Sequence, residues 1–220
     1  MYHYFLCRRL DNADIEHQQV QRVRFHDRHV STNFYRFVGN VWGWQRCRSR
    51  AGGGLGRDQL VGGKGDDVYD VDSRSDLVIE TFNVGTDTVN ASIDYVLAAN
   101  IENLVLTGGA NIAGGGNSLN NYITGNSGDN LINGGLGADT MEGGAGDDIY
   151  IVGSADDVII DTSGDDTIRS TIDLTLKSGI ENGELLGLLD LNLSGNSAGN
   201  NLSGNSGDNL IDGLGGADIL

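Results

Sequence analysis

GGLGADTMEGGAGDDIY, residues 134–150, places Gly, Gly, Gly and Asp at the same offsets twice, nine residues apart. Counting in nines from Gly134 finds unbroken units at Gly116, Gly125, Gly134 and Gly143, a pair at Gly53 and Gly62, and a third series at Gly195, Gly204 and Gly213 that stops at Leu220. Position one is glycine in all nine units, and position four is glycine in seven, Leu119 and Ala198 being the exceptions. Position six is always Asp or Asn: Asp58, Asp67, Asn121, Asn130, Asp139, Asp148, Asn200, Asn209 and Asp218. Position eight is always apolar: Leu60, Tyr69, Ile123, Ile132, Met141, Tyr150, Leu202, Ile211 and Leu220. A flexible glycine-rich linker has no reason to keep position eight apolar nine times in nine.

These units resemble the nonapeptide of RTX proteins, G-G-x-G-x-D-x-U-x with U apolar, a calcium-binding β-helix repeat. The resemblance implies an all-β fold, a right-handed parallel β-roll. In it six residues make a turn, three make a short strand, and two nonapeptides complete a coil of 18 residues. The cofactor implied is Ca2+.

The residues support that expectation independently. Glycine admits backbone conformations with φ > 0 and close approach of carbonyls to an ion. Calcium takes six to eight oxygens from carboxylates and carbonyls. Strands stack about 4.8 Å apart, so position-six side chains of alternate units are expected to face each other. Two carboxylates at that spacing repel by roughly 3 kcal/mol at an effective dielectric of about 20, and a cation between them reverses the sign. One inward side chain per nine residues is a thin core against the entropy of ordering the backbone. The calcium-free repeats are therefore expected to be largely disordered.

A longer repeat lies above the nonapeptides. GGLGRDQLVGGKGDDVY (53–69) returns at 134–150, offset by 81; past a two-residue deletion, IEN (101–103) returns at 180–182 and GNSGDNLIN (125–133) as GNSGDNLID (204–212), offset by 79. The expected organisation is a basic leader at 1–50, a first cassette at 51–133, a second at 134–212 and the start of a third at 213–220. The alternation with IENLVLTG (101–108) also resembles long secreted RTX proteins. In IENGELLG (180–187), Gly183 replaces the leucine of the first cassette, which weakens the strand expected there.

The register continues into glycine-poor segments, giving Asp76 and Val78, Asp87 and Val89, Asp157 and Ile159, and Asp166 and Ile168 at positions six and eight. The expected metal ligands are Asp58, Asp67, Asp76, Asn121, Asn130, Asp139, Asp148, Asp157, Asp166 and Asp218. The pairs Asp58–Asp76, Asp139–Asp157 and Asp148–Asp166 supply two charges each. Asn121–Asp139, Asn130–Asp148 and Asn200–Asp218 supply one, and are expected to bind more weakly because affinity follows ligand charge. A single Asp beside Gly is ordinarily a turn residue bonding its own backbone; repetition at a fixed pitch favours the ligand reading.

Residues 1–50 hold nine Arg, no Lys and four acidic residues, leaving five basic and 27 acidic residues in 51–220. Self-repulsion of the acidic part opposes compaction until counterions bind, and the same charge makes nucleic acid an unsuitable partner. The leader also holds all four His, both Cys and both Trp. No spacing among them makes a zinc site; His26 and His29 lack a third ligand. Cys7 and Cys47 are free to pair in an oxidising compartment. Glycine codons read one base out of phase yield arginine, and RCRSR (46–50) has the Arg-rich, Lys-free look of a repeat gene translated in the wrong frame, so two readings of the leader stand, a frame artefact or a basic arm for an acidic partner.

No segment reads as a secretory signal peptide or a transmembrane helix. The family resemblance implies an extracellular, secreted protein exported by a type I secretion apparatus that reads a C-terminal signal. The chain stops in mid-repeat, which leads us to expect a fragment of a longer protein. No nucleophile elbow, zincin motif, or Cys or His occurs within the repeats, so no catalysis is expected of them. Three functions are consistent with this: a calcium-folded module, the repeat tail of a secreted protease, lipase or polysaccharide-modifying enzyme, or part of an adhesin or cell-surface structural protein.

Overall fold

The computed structural model describes residues 2–4, 21–23, 34–36, 50–54, 56–80, 85–161 and 163–220, the segments up to residue 50 by backbone alone. The expectations for Cys7, Cys47, His17, His26, His29, Trp42 and Trp44 fall outside the described residues.

Position eight of every unit but the last lies in a strand of three or four residues, and successive strands alternate between two faces. One face is a seven-stranded parallel sheet of Arg50–Gly52, Val68–Val71, Thr88–Ala91, Asn103–Leu106, Tyr122–Thr124, Thr140–Glu142 and Val158–Ile160. The three-stranded sheet Leu174–Thr175, Asn192–Ser194 and Leu210–Asp212 follows it in the chain. The opposite face has the seven-stranded parallel sheet Tyr95–Val96, Ala113–Gly115, Leu131–Asn133, Ile149–Val152, Thr167–Ser170, Asn182–Leu185 and Asn201–Ser203. Gln59–Val61 and Leu77–Ile79 precede it, with Tyr2–Tyr4 paired to the first of them. Among the described residues every element is a strand, and only Gln21–Val23 and Phe34–Arg36 pair antiparallel. The architecture is an all-β, parallel β-solenoid of the β-roll kind.

Within the glycine-rich series each residue pairs with the one 18 later, as Tyr122 with Thr140 and Thr140 with Val158. Thr88 pairs instead with Asn103, and Thr167 with Asn182, so two coils are three residues shorter. The register stacks position-eight residues into two inward columns. One runs Ala51, Tyr69, Val89, Leu104, Ile123, Met141, Ile159. The other runs Tyr95, Gly114, Ile132, Tyr150, Ile168, Gly183, Leu202. Leu60, Tyr69, Ile123, Ile132, Met141, Tyr150 and Leu202 are buried as the period requires, as are Val78, Val89 and Ile168 in the glycine-poor segments. Leu220, also at position eight, is exposed.

Gly183 does not prevent its strand: Asn182–Leu185 forms, pairing with Thr167–Ser170 and Asn201–Ser203. Leu193, Leu202 and Leu176 close over the missing side chain, and a Cβ on Gly183 would stand 3.0 Å from Leu193 Cδ1. Each coil buries only a few apolar groups, so the turns at the edges decide how well it holds. Among the described residues, no helix is long and apolar enough to cross a membrane.

Candidate metal centres

Position six sits at the end of each turn, just before its strand, and forms a ladder along the roll. The backbone N–H of one rung donates to the position-six side chain of the next. Asn121 N–H donates to Asp139 Oδ1 at 2.8 Å, Asn130 to Asp148 Oδ1 at 2.7 Å, Asp148 to Asp166 Oδ1 at 2.8 Å, and Asp139 to Asp157 Oδ1 at 3.1 Å. Asp58 N–H reaches Asp76 Oδ1 at 3.1 Å and Asn200 N–H reaches Asp218 Oδ1 at 2.9 Å. All the pairs expected from spacing are brought together. They meet as one carboxylate capping the other's amide, instead of as two carboxylates face to face.

One oxygen of each carboxylate is thereby used, and the other separates the sites. Asp139 Oδ2, Asp148 Oδ2 and Asp166 Oδ2 are buried and have no hydrogen-bond partner. Buried polar atoms are almost always bonded, and an orphan costs about 1–3 kcal/mol or more when charged. Asp157 and Asp76 differ: their Oδ2 atoms accept the turn N–H groups of Ser154 and Ser73, each at 3.1 Å, and both carboxylates are half-exposed. Burial pushes the carboxyl of Asp148 up to about 6, with the charges of Asp161, Asp129 and Asp147 adding to it, although the Asn130 N–H opposes the rise. Burial likewise raises Asp166 to about 7, helped by Asp161, Asp148 and Glu181, and raises Asp139 with Asp157 adding. A carboxylate held this way lacks positive charge.

Position-one glycine is explained by the same geometry. The position-six side chain folds back over it, so a Cβ on Gly143 would fall onto Asp148 Oδ2 and Tyr150 OH, and one on Gly134 would fall onto Asp139 Oδ2. On Gly116 it would lie 2.6 Å from Asn121 Oδ1, and on Gly125 2.5 Å from Asn130 Oδ1.

Turns with Asn at position six close differently. Asn121 Oδ1 accepts the Asn117 N–H at 2.8 Å, and its amide donates back to Ile101 O and Glu102 O at 3.0 and 3.1 Å. Asn130 Oδ1 accepts the Asn126 N–H at 2.8 Å while its amide donates to Ile112 O at 3.1 Å. Asn200 repeats the pattern on Ile180 O and Glu181 O, both at 3.2 Å. The amide gives the preceding rung's carbonyls a donor.

Spacing put Asp87 in register without counting it among the expected ligands, and it missed four further acidic residues. Asp87 accepts the Asp67 N–H at 2.8 Å, and burial raises it to about 6 with Asp67, Glu102 and Asp66 adding. In the two short coils Glu102 Oε2 accepts the Asp87 N–H at 2.8 Å and Glu181 Oε2 accepts the Asp166 N–H at 3.0 Å, the longer side chain taking the place of Asp. Glu80 and Asp161 complete two groups, Asp67–Glu80–Asp87 and Asp148–Asp161–Asp166, whose oxygens lie within 4.8 Å of one another. Two oxygens bound to one calcium ion lie at most about 5.2 Å apart, given calcium–oxygen distances of about 2.3–2.6 Å. The donor set is hard oxygen throughout, buried and partly orphaned, and it fits calcium. The 81-residue offset that relates Glu80 to Asp161 was the signal that would have found them.

Comparison with known proteins agrees with this chemistry. The RTX calcium-binding nonapeptide repeat family matches four segments, residues 53–77, 115–150, 151–170 and 194–220. A protein from Rhizobium meliloti (strain 1021), "Endo-1,3-1,4-beta-glycanase ExsH", is 39% identical over 64 residues, which make up 29% of this chain and 14% of that protein. The match thus spans about a seventh of that relative's length. No solved structure matches the chain.

Proposed function

We propose, from the premise that this chain is built of RTX calcium-binding nonapeptide repeats, that it is a module that folds outside the cell when calcium is supplied. The observation that carries this reading is the row of buried, orphaned carboxylate oxygens on Asp139, Asp148 and Asp166. When bound, a calcium ion supplies the positive charge those oxygens lack. The position-six carboxylates each hold the amide of the preceding rung with one oxygen and present the other toward the turn. Position-one glycine leaves them room, and the column of Leu, Ile and Tyr residues gives each rung its apolar contact. Asp148–Asp166 is the strongest of the expected pairs, and Asp139–Asp157 and Asp58–Asp76 follow. Asp67 acts with Asp87. Asn121 and Asn130 contribute least, because their side chains already bond backbone, and Asp218 stands with Asn200 in that weaker class.

Extracellular modules of this chemistry bind calcium at roughly 10⁻⁴ to 10⁻³ M. Mass action then keeps the chain unfolded where calcium is scarce and folds it where calcium is plentiful. That behaviour suits a protein exported as an unfolded thread through a secretion apparatus. Circular dichroism against calcium concentration tests it: strand signal should rise with calcium and fall when chelator is added. Strand signal that ignores the chelator, or that magnesium produces equally well, refutes it.

The resemblance to a bacterial β-glycanase favours one setting for the module, the repeat region of a secreted polysaccharide-acting enzyme whose catalytic residues lie outside these repeats. The gene sequence flanking this chain decides between that setting and an adhesin: a catalytic domain supports the first, tens of further cassettes the second.

A further inference from the structure

Position one is glycine in all nine regular units, but the next rung above Gly143 carries Asp161 and the one above Gly62 carries Glu80, each 18 residues on. A Cβ on Gly143 would lie 2.7 Å from Asp161 Oδ2, and one on Gly62 would lie 2.6 Å from Glu80 Oε1, so each acidic side chain leans into the space its glycine leaves. Asp148 and Asp166 are both fully buried, each carries an unpartnered Oδ2, and a carboxylate oxygen of each lies within 4.8 Å of one on Asp161. Tyr150, also fully buried, donates its hydroxyl to Asp161 Oδ2, and Tyr69 donates to Glu80 Oε1. Both cassettes build the same object from Gly, Asp, Tyr, an acidic residue 11 positions after the Tyr, and a second Asp. It stands where the glycine-rich block gives way to glycine-poor rungs.

We propose that Asp148, Asp161 and Asp166, and in the first cassette Asp67, Glu80 and Asp87, form two three-carboxylate sites for a hard cation of charge two or three. These sites are distinct from the ordinary junctions and fill before them. The proposal rests on the calcium-binding reading above and adds to it the third carboxylate, the tyrosine that orients it, and the order of filling. The ordinary junction offers one or two carboxylates, and at Asp157 both oxygens already accept N–H groups. Affinity follows the number of charged ligands, so the three-carboxylate sites lead. Filling them first sets one rung of each cassette in place, and the neighbouring rungs then add to an existing edge, as nearest-neighbour solenoids do.

The 220-residue chain is titrated with calcium by calorimetry, and separately with terbium, a calcium-sized ion whose emission is excited through nearby tyrosine. Two tight calcium equivalents are expected, with sensitised terbium emission saturating at two equivalents. The Glu80→Gln, Asp161→Asn double variant should weaken the two tight sites at least tenfold, leave the weaker ones in place, and reach wild-type strand signal at higher calcium. Tyr69→Phe with Tyr150→Phe should lower the early terbium emission at least fivefold while keeping calcium-induced strand. If the carboxylate variant does not fold at saturating calcium, Glu80→Gly with Asp161→Gly, which restores the usual position-one residue, takes its place with the same expectation. Tight sites unchanged in either carboxylate variant overturn the proposal and leave the calcium-binding reading intact. A wild-type chain that binds no calcium overturns both.

Discussion

Two kinds of turn share one nine-residue period and solve the same problem with different chemistry. In the units starting at Gly53, Gly62, Gly134, Gly143 and Gly213, position six is Asp, and positions two and four lie in the left-handed region. Gly135 and Gly137 have φ of 94° and 131°, and Leu214 takes the position-two conformation at 61° despite its side chain. In the units starting at Gly116, Gly125, Gly195 and Gly204, position six is Asn, position two is Asn, and neither position two nor position four has a positive φ. There the position-two Asn accepts the position-four N–H: Leu119 and Ala198 donate at 2.8 Å to Asn117 and Asn196. Both exceptions to glycine at position four therefore fall where glycine is not required. The lesson is that the Asn turn is closed by the chain's own amides, whereas the Asp turn leaves carboxylate oxygens buried and open. Calcium dependence should be concentrated in the second kind.

The largest expected contrast is at position four. Gly137→Ala forces a side chain into the left-handed region, worth about 1–3 kcal/mol. Its Cβ would also stand 2.5 Å from Leu119 O, so the total should reach about 3 kcal/mol or more. Leu119→Gly, at the same position of an Asn turn, should cost only about 0.5–1 kcal/mol. Urea unfolding of both variants in saturating calcium measures the difference, and equal losses would break the distinction between the turns.

A swap at position six sharpens it further. Asn130→Asp replaces a donor facing Ile112 O with a second acceptor, which should cost about 1–3 kcal/mol in chelator. Most of that loss should return on adding calcium, because an Asn turn has been given the chemistry of an Asp turn. The calcium concentration that gives half-maximal strand signal, together with the urea midpoint in saturating calcium, checks it.

The smallest effect is the response to protons. Burial raises the carboxyls of Asp87, Asp148 and Asp166 to about 6, 6 and 7, all above the ordinary carboxyl value of 3.8. A raised carboxyl pKa means the metal-free fold binds protons that the unfolded chain releases, so its stability falls as pH rises from about 4 to 7. In chelator, strand signal should therefore increase as pH is lowered from 8 to 5. In calcium, the same acidification should weaken binding. A metal-free chain indifferent to pH over that range would show that these carboxyls do not oppose folding.

Much of this was written in the period. Gly, Asp or Asn and an apolar residue at fixed offsets specify the rung, and Leu60, Ile123, Met141 and Tyr150 point inward as counted. The pairs such as Asp139–Asp157 followed from 18 residues per coil. What the count did not reveal was which atom meets which. Whether a carboxylate faces its partner or caps its partner's amide depends on turn geometry, and Asn looked like a diluted Asp until its amide was seen donating to Ile101 O and Glu102 O. Glu80 stays in the nine-residue frame but at position one, where the repeat otherwise has glycine, and Asp87 was displaced by the insertion that follows Glu80. Glu102 and Glu181 sit in coils three residues short, where a longer side chain replaces the period.

The most direct measurement is amide hydrogen exchange followed residue by residue with and without calcium. The account predicts that chelation strips protection first and furthest from the rungs holding the amides of Asp139, Asp148 and Asp166, and less from those holding Asn121, Asn130 and Asn200. Protection that survives chelation around Asp148 and Asp166 at neutral pH, or that falls equally in both kinds of turn, would contradict it.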